Sequence, residues 1–182
     1  MKPSNDQLET EYWYGWSTWL PEDWFIDTAP EIVTQFHTDS GVGGGPPLRV
    51  KIDGEKLVIA NKHLIDGALT STRLYKADVI NAMKGRWTDF VLRAVWTTGN
   101  HGILEVWMNG SKLFRKFGST THTDLSGVHF KIGVYKGDWK KNNPDSILDS
   151  RVVYHDEVRL AQGANGRSLV DPATYGTGAP AP

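Results

Sequence analysis

Apolar and polar residues alternate with a period of two along most of the chain, in short runs separated by turn residues, and sustained helical periodicity is almost absent. Successive side chains on a strand point to opposite faces, so this pattern predicts half-buried strands and an all-β domain. Strands are expected at residues 12–20, 31–38, 48–53, 56–61, 89–97, 103–109, 112–117, 128–136 and 151–160. Asp53-Gly54 and Asn109-Gly110 lie between such runs, where Gly and Asn supply the positive φ of a tight hairpin. Only residues 76–84 suggest a helical turn or two. Residues 41–47, rich in Gly and Pro, and residues 137–150, rich in Lys, Asn and Asp, read as loops long enough to border a site.

That many short strands in 182 residues predict one two-sheet sandwich or jelly roll, in which one curved face often carries a ligand. The domain is expected to occupy residues 1–162. Residues 163–182 are rich in Gly, Ala and Pro, and a segment so poor in apolar side chains is expected to be a loose tail or linker. There is no Cys, which excludes disulfides and thiolate chemistry. No run approaches the roughly 18 consecutive apolar residues of a membrane span, and Met1-Lys2-Pro3-Ser4-Asn5-Asp6 is followed by no apolar signal region.

The formal net charge of -1 conceals an asymmetry. Residues 1–40 hold one Lys and eight acids, a balance of -7, whereas residues 41–182 hold 19 bases and 13 acids, a balance of +6. A basic surface separated from an acidic one would attract a polyanion, whether acidic polysaccharide or nucleic acid. The chain has no G-x-G-x-x-G, no P-loop and no Arg-rich stripe with interleaved aromatics, which argues against nucleotide and nucleic-acid partners. Eight Trp residues are many for this length, and some are expected to line a groove where their rings can pair with sugars.

Candidate chemistry gathers on two of the predicted strands. In 31–38, alternation sends Ile32 and Phe36 to one face and Gln35 and His37 to the other. In 128–136, the even positions are apolar up to Val134, while His129, Lys131, Gly133 and Tyr135 share the opposite face, with Gly133 permitting close approach. An amide, an imidazole, an ammonium and a phenol facing away from an apolar layer form a plausible reaction site. The same pattern also suits strands that merely keep polar residues outward for solubility. His63, His101, His122 and His155 have no catalytic spacing and read as surface or structural residues.

Gln35-Phe36-His37 with Phe130-Lys131-Ile132-Gly133-Val134-Tyr135 resembles the paired Q-x-H and F-K-x-G-x-Y signatures of jelly-roll polysaccharide lyases, alginate lyases among them. The opening run from Glu11 to Pro21, Gly85-Arg86-Trp87-Thr88-Asp89-Phe90, and Glu105-Val106-Trp107-Met108-Asn109-Gly110 are similar to the heparin lyase I and glucuronan lyase group. The likeness runs from about Glu11 to Leu160, in the same order throughout. It implies a β-jelly roll, a concanavalin A-like sandwich, whose concave face cleaves uronic-acid-containing polysaccharides by β-elimination. That reaction removes the proton at C5 of a uronate and expels the O4 oxygen, so it needs a carboxylate neutraliser, a base and an acid.

By resemblance, Gln35 hydrogen-bonds the uronate carboxylate and Lys131 or a nearby Arg adds positive charge. His37 is suited to accept a proton at neutral pH, imidazole titrating near ~6.5. Tyr135 protonates the leaving oxygen, and in some members of the group the Tyr serves as both base and acid. Arg49 and Lys51 share a strand face, Arg73 precedes Leu74-Tyr75-Lys76, and Lys136 follows Tyr135, so each could hold substrate carboxylates or sulfates. Trp139 could stack on a sugar ring. The R-x-E-type segment that usually precedes the first strand of such lyases has no counterpart in residues 1–10, which contain no Arg. The missing charge is expected from another position such as Arg49, or from a strand supplied by a neighbouring segment or subunit. No zinc spacing or EF-hand loop is present; relatives often bind structural Ca2+, for which Asp156 is a candidate ligand. The resemblance implies an acidic polysaccharide as partner, no nucleic acid or membrane, and a secreted or extracellular location.

Overall fold

The computed structural model describes residues 7–38, 43–142 and 144–175. These residues form ten strands: β1 Glu11–Trp19, β2 Glu31–His37, β3 Leu48–Asp53, β4 Lys56–Ile65, β5 Ala68–Asp78, β6 Trp87–Val95, β7 Ile103–Met108, β8 Ser111–Phe117, β9 His129–Tyr135 and β10 Tyr154–Gln162. They pair antiparallel into two five-stranded sheets, β10-β1-β6-β7-β8 and β5-β4-β3-β2-β9, and the fold is the expected jelly-roll sandwich. Among the described residues, no helix is long and apolar enough to cross a membrane.

The core is built from the inward positions of both sheets and is unusually aromatic. Trp16 stacks on Phe90 with ring centroids 5.2 Å apart, Phe36 stacks on Phe130 at 4.9 Å, and Tyr14 meets Phe36 edge-on at 4.8 Å. Offset and edge geometries of this kind contribute about 0.5–1.5 kcal/mol per pair beyond area burial. Trp13, Trp16, Trp24, Trp96 and Trp107 are all buried, so most of the eight Trp residues serve packing, which leaves few for the groove where some were expected.

The alternation missed one strand. β5 pairs along the whole of β4 through a turn at Asp66 and Gly67, which both have positive φ (50° and 78°). Its period was obscured by a bulge at Leu74, an extra residue opposite the Ile59/Ala60 step, so Leu74 and Tyr75 both turn to the core. The helical turn expected near residues 76–84 is the short helix α1, Ile80–Met83.

Residues 163–175 are not loose. The helix α2, Gly166–Val170, lies on the outer face of the first sheet and buries Val170 with Trp13, Val91 and Trp107. Two glycines permit this contact: a Cβ on Gly15 would lie 1.7 Å from the Val170 carbonyl oxygen, and one on Gly166 would lie 2.2 Å from Trp13 Cδ1. Backbone approach replaces apolar bulk here, which is why composition alone suggested a tail. Residues 176–182 lie outside the described residues.

Candidate active site

The outer face of the second sheet carries the site. In β2 the strict alternation fails at one step: Val33 and Thr34 are both buried, and the pairing with β3 and β9 shifts between Ile32 and Thr34. The bulge turns Ile32 to the same face as Gln35 and His37, contrary to the expectation that it sides with Phe36. Cross-strand partners share a face, so the register assembles three rows there. His37 lies opposite His129. Gln35 lies between Lys131 on β9 and Arg49 on β3, and this row continues through Ala60 on β4 to Arg73 on β5. Ile32 lies between Tyr135 and Lys51, and this row continues through Val58 to Lys76.

Gln35 and His37 therefore share a face, as do His129, Lys131 and Tyr135, as the sequence suggested, and the register brings both sets together with Arg49, Lys51, Arg73 and Lys76 on one surface. His37 Nδ1 lies 2.6 Å from the Thr38 carbonyl oxygen. A carbonyl can only accept, so the proton is assigned to Nδ1, and Nε2 is left with a lone pair for a substrate proton. Tyr135 is 44% exposed, its ring flanked by Gly137 and by Lys140 Nζ, 5.1 Å from the centroid. Its hydroxyl has no hydrogen-bond partner among the described residues. The ladder separates His37 and Tyr135 by the Gln35 row, so the two flank whatever lies on Gln35 from opposite ends.

The cations of this face are largely uncompensated. Among the described residues, Lys131, Arg73 and Lys76 have neither an ion pair nor a hydrogen bond. Arg49 donates only to Ser71 Oγ, at 3.1 Å, and partial burial holds its guanidinium below the ordinary arginine value. Lys51 is neutralised by Asp53 at 3.0 Å, and Lys56, nearer the rim, by Asp78 at 3.0 Å. The acids of the N-terminal part are engaged elsewhere: Glu11 with Arg93, Asp27 with Lys136, and Glu31 with Arg151. This distribution explains the charge asymmetry read along the chain.

Lys136 does not bind substrate from this face. It follows directly on β9, continues the inward parity of the even-numbered positions and is 4% exposed, with Nζ 2.6 Å from Asp27 Oδ2, 2.9 Å from the Ala29 carbonyl oxygen and 3.6 Å from Glu31 Oε2. Arg151 completes the cluster with two bonds to Glu31, 2.8 and 2.9 Å, and lies 3.9 Å from the Trp24 ring centroid. Burial alone would raise the Asp27 carboxyl, but hydrogen bonds from Lys136, Ser146 and the Ile147 and Thr28 amides outweigh it and hold the group well below the usual carboxylate range. The cluster ties the 21–31 segment, the end of β9 and the 138–151 loop together directly behind Tyr135. Parity along β9 was the available signal for this inward placement of Lys136.

Trp139 follows Tyr135 in a 3-10 turn, Gly137–Lys140; it is 39% exposed and donates Nε1–H to the Leu148 carbonyl at 2.6 Å. Asp156 lies in the other sheet, opposite Ser17, and its Oδ1 accepts the Glu157 amide. Among the described residues, no three His, Asp or Glu side chains gather in a way that could hold a metal ion.

A jelly roll with a polar, cationic outer face invites comparison with known proteins. A search of the curated proteins gave no match. Among solved structures, an endo-β-1,4-glucuronan lyase from the fungus Trichoderma reesei superposes with a TM-score of 0.70 at 24% identity, over 91% of this chain and 73% of that one. The family 7 alginate lyase A1-II′ gives 0.59 at 16% identity, over 89% of this chain and 65% of that one. An alginate lyase from Pseudomonas aeruginosa gives 0.53 at 17% identity, over 88% and 69%. These likenesses establish the fold; membership is carried by the sequence itself, because the polysaccharide lyase family model matches residues 2–159, and the chain belongs to that family.

Proposed function

We propose that this protein cleaves a uronic-acid-containing polysaccharide by β-elimination, leaving an unsaturated uronate at the new end. The observation that carries this reading is the row Lys131–Gln35–Arg49, flanked by His37 and Tyr135 on the same face. Gln35 donates to the uronate carboxylate while Arg49 and Lys131 supply positive charge. Both stabilise the negative charge that builds on the carboxylate as C5 loses its proton. Arg49 thereby takes the role for which residues 1–10 offer no Arg.

The base accepts the C5 proton, the C5–H electron pair becomes the C4–C5 double bond, and the C4–O4 bond breaks as O4 receives a proton. His37 Nε2 is the base when the C5 proton lies on its side. Tyr135 delivers the proton to O4, and it serves both steps when C5–H and O4 lie on one side of the ring. Trp139 and Lys140 border the Tyr135 end, where a sugar ring can stack. An enzyme acting on such a polymer belongs outside the cell. A structural Ca2+ remains part of the proposal, with ligands beyond the Asp156 side chain required.

The test is ultraviolet absorbance at the unsaturated-uronate band during incubation with glucuronan, alginate and heparin-like chains, with and without Ca2+. A rise on one of them establishes β-elimination and identifies the substrate together. A flat trace on all of them, with binding retained in affinity electrophoresis, would replace the lyase by a non-catalytic binder of acidic glycans.

A further inference from the structure

The cation pair Arg73 and Lys76 lies on β5, the edge strand farthest from Tyr135, and the reaction described above makes no use of it. The pair exists because of the Leu74 bulge. Strict alternation would place Arg73 and Tyr75 on one face and Lys76 on the other; the extra residue sends Leu74 and Tyr75 to the core and brings Arg73 and Lys76 to the open face together. Neither has a partner among the described residues, whereas Lys56, the next base towards the rim on the neighbouring strand β4, is paired with Asp78 at 3.0 Å.

Register fixes where this pair lies relative to the reaction centre. Arg73 continues the Gln35–Arg49 row and Lys76 continues the Tyr135–Lys51 row. One strand intervenes, and it presents only Ala60 and Val58, small apolar side chains that raise no barrier between the two pairs. Arg49 itself reaches across that strand, its guanidinium donating to Ser71 Oγ on β5 at 3.1 Å, so the distance of the distal pair is taken from Gln35 on β2, three strand spacings or roughly 14 Å away.

We propose that Arg73 and Lys76 form a distal subsite that holds a carboxylate further along the chain than the one at Gln35, with the polyuronate lying across the strands from β9 to β5. The assignment rests on the lyase reading for its reaction centre, and on the register alone for the position of the pair. It makes the enzyme favour chains long enough to reach β5.

The experiment measures kcat/KM of the full chain and of R73A/K76A on a length series of the polyuronate it cleaves. In parallel, affinity electrophoresis against the same polymer is run at several salt concentrations. The double variant is expected to lose roughly fivefold to tenfold more kcat/KM on long chains than on the shortest cleaved oligosaccharide, through KM rather than kcat. Its binding is expected to weaken and to become less salt-sensitive. Equal losses at all lengths, or none, would overturn the subsite while leaving the lyase intact. Binding that needs Arg73 and Lys76 without any cleavage by the unmodified chain would keep the subsite and overturn the lyase. No binding and no cleavage would overturn both.

Discussion

Tyr135, the last residue of β9, and Lys136, which follows it, belong to opposite worlds. Behind the strand, Lys136, Asp27, Glu31 and Arg151 form a buried cluster in which every charge has a partner of opposite sign. In front of it, among the described residues, Lys131, Arg73 and Lys76 stand without acidic partners, and Arg49 has only a hydroxyl. Charges buried from water must be paired, because desolvation costs several kcal/mol per ion, whereas cations left facing solvent are cheap to keep and ready for an incoming anion. The paired cluster therefore serves the shape of the fold, and the unpaired face is the one left open to an anion. A Lys in this protein takes one task or the other according to which way its strand position points.

The sharpest way to break the comparison is K136M. It strands Asp27 and weakens the compensation of Glu31, and the expected loss is about 3–5 kcal/mol of unfolding free energy, read by denaturant titration. K131M, on the open face, should change stability by no more than about 0.5 kcal/mol. If both variants unfold at the same denaturant concentration, the distinction between the two sides collapses.

Next in size come the proton-transfer groups. His37→Ala and Tyr135→Phe are each expected to lower kcat by roughly 10²-fold or more with melting temperature and glycan affinity retained, the usual scale for general acid–base catalysis. Unchanged turnover in both would move the reaction centre elsewhere on the face.

A smaller effect separates the buried groups by pH. The Asp27 carboxyl titrates far lower in the folded chain than its ordinary 3.8, so on acidification the unfolded chain takes up this proton first. The stability it contributes is complete above about pH 4 and is lost as pH falls below that value. His155, whose ring contacts Thr18 Oγ1 at 3.2 Å, is lowered by burial from 6.5 to about 4. The unfolded chain again binds the proton first, so His155 erodes stability between pH 6.5 and about 4 and no further below. Unfolding titrations of D27N and H155L should flatten these two windows separately; a slope unchanged by either variant would assign acid sensitivity to other groups.

The smallest expected effect is on affinity. K131M should weaken polyuronate binding severalfold, most visibly at low salt, where exposed charges are least screened. An affinity that is indifferent to Lys131 at every salt concentration would leave carboxylate recognition to Gln35 and Arg49.

The sequence by itself determined the fold class, nine of the ten strands and which polar side chains of β2 and β9 share a face. Period-two alternation is a local property, and the Q-x-H and K-x-G-x-Y spacings carry their side chains to one side without any knowledge of neighbours. What only the tertiary structure decided lies wherever one residue more or less changes a face or a partner. The bulges at Val33 and Leu74 moved Ile32, Arg73 and Lys76. The inward turn of Lys136 met acids more than 100 positions away in the chain. The contact of α2 on β1 depended on two glycines 151 positions apart. Side-chain direction on a strand follows from counting, but a bulge is set by the packing of the strands on either side, and a buried charge finds its partner only when the sheets close.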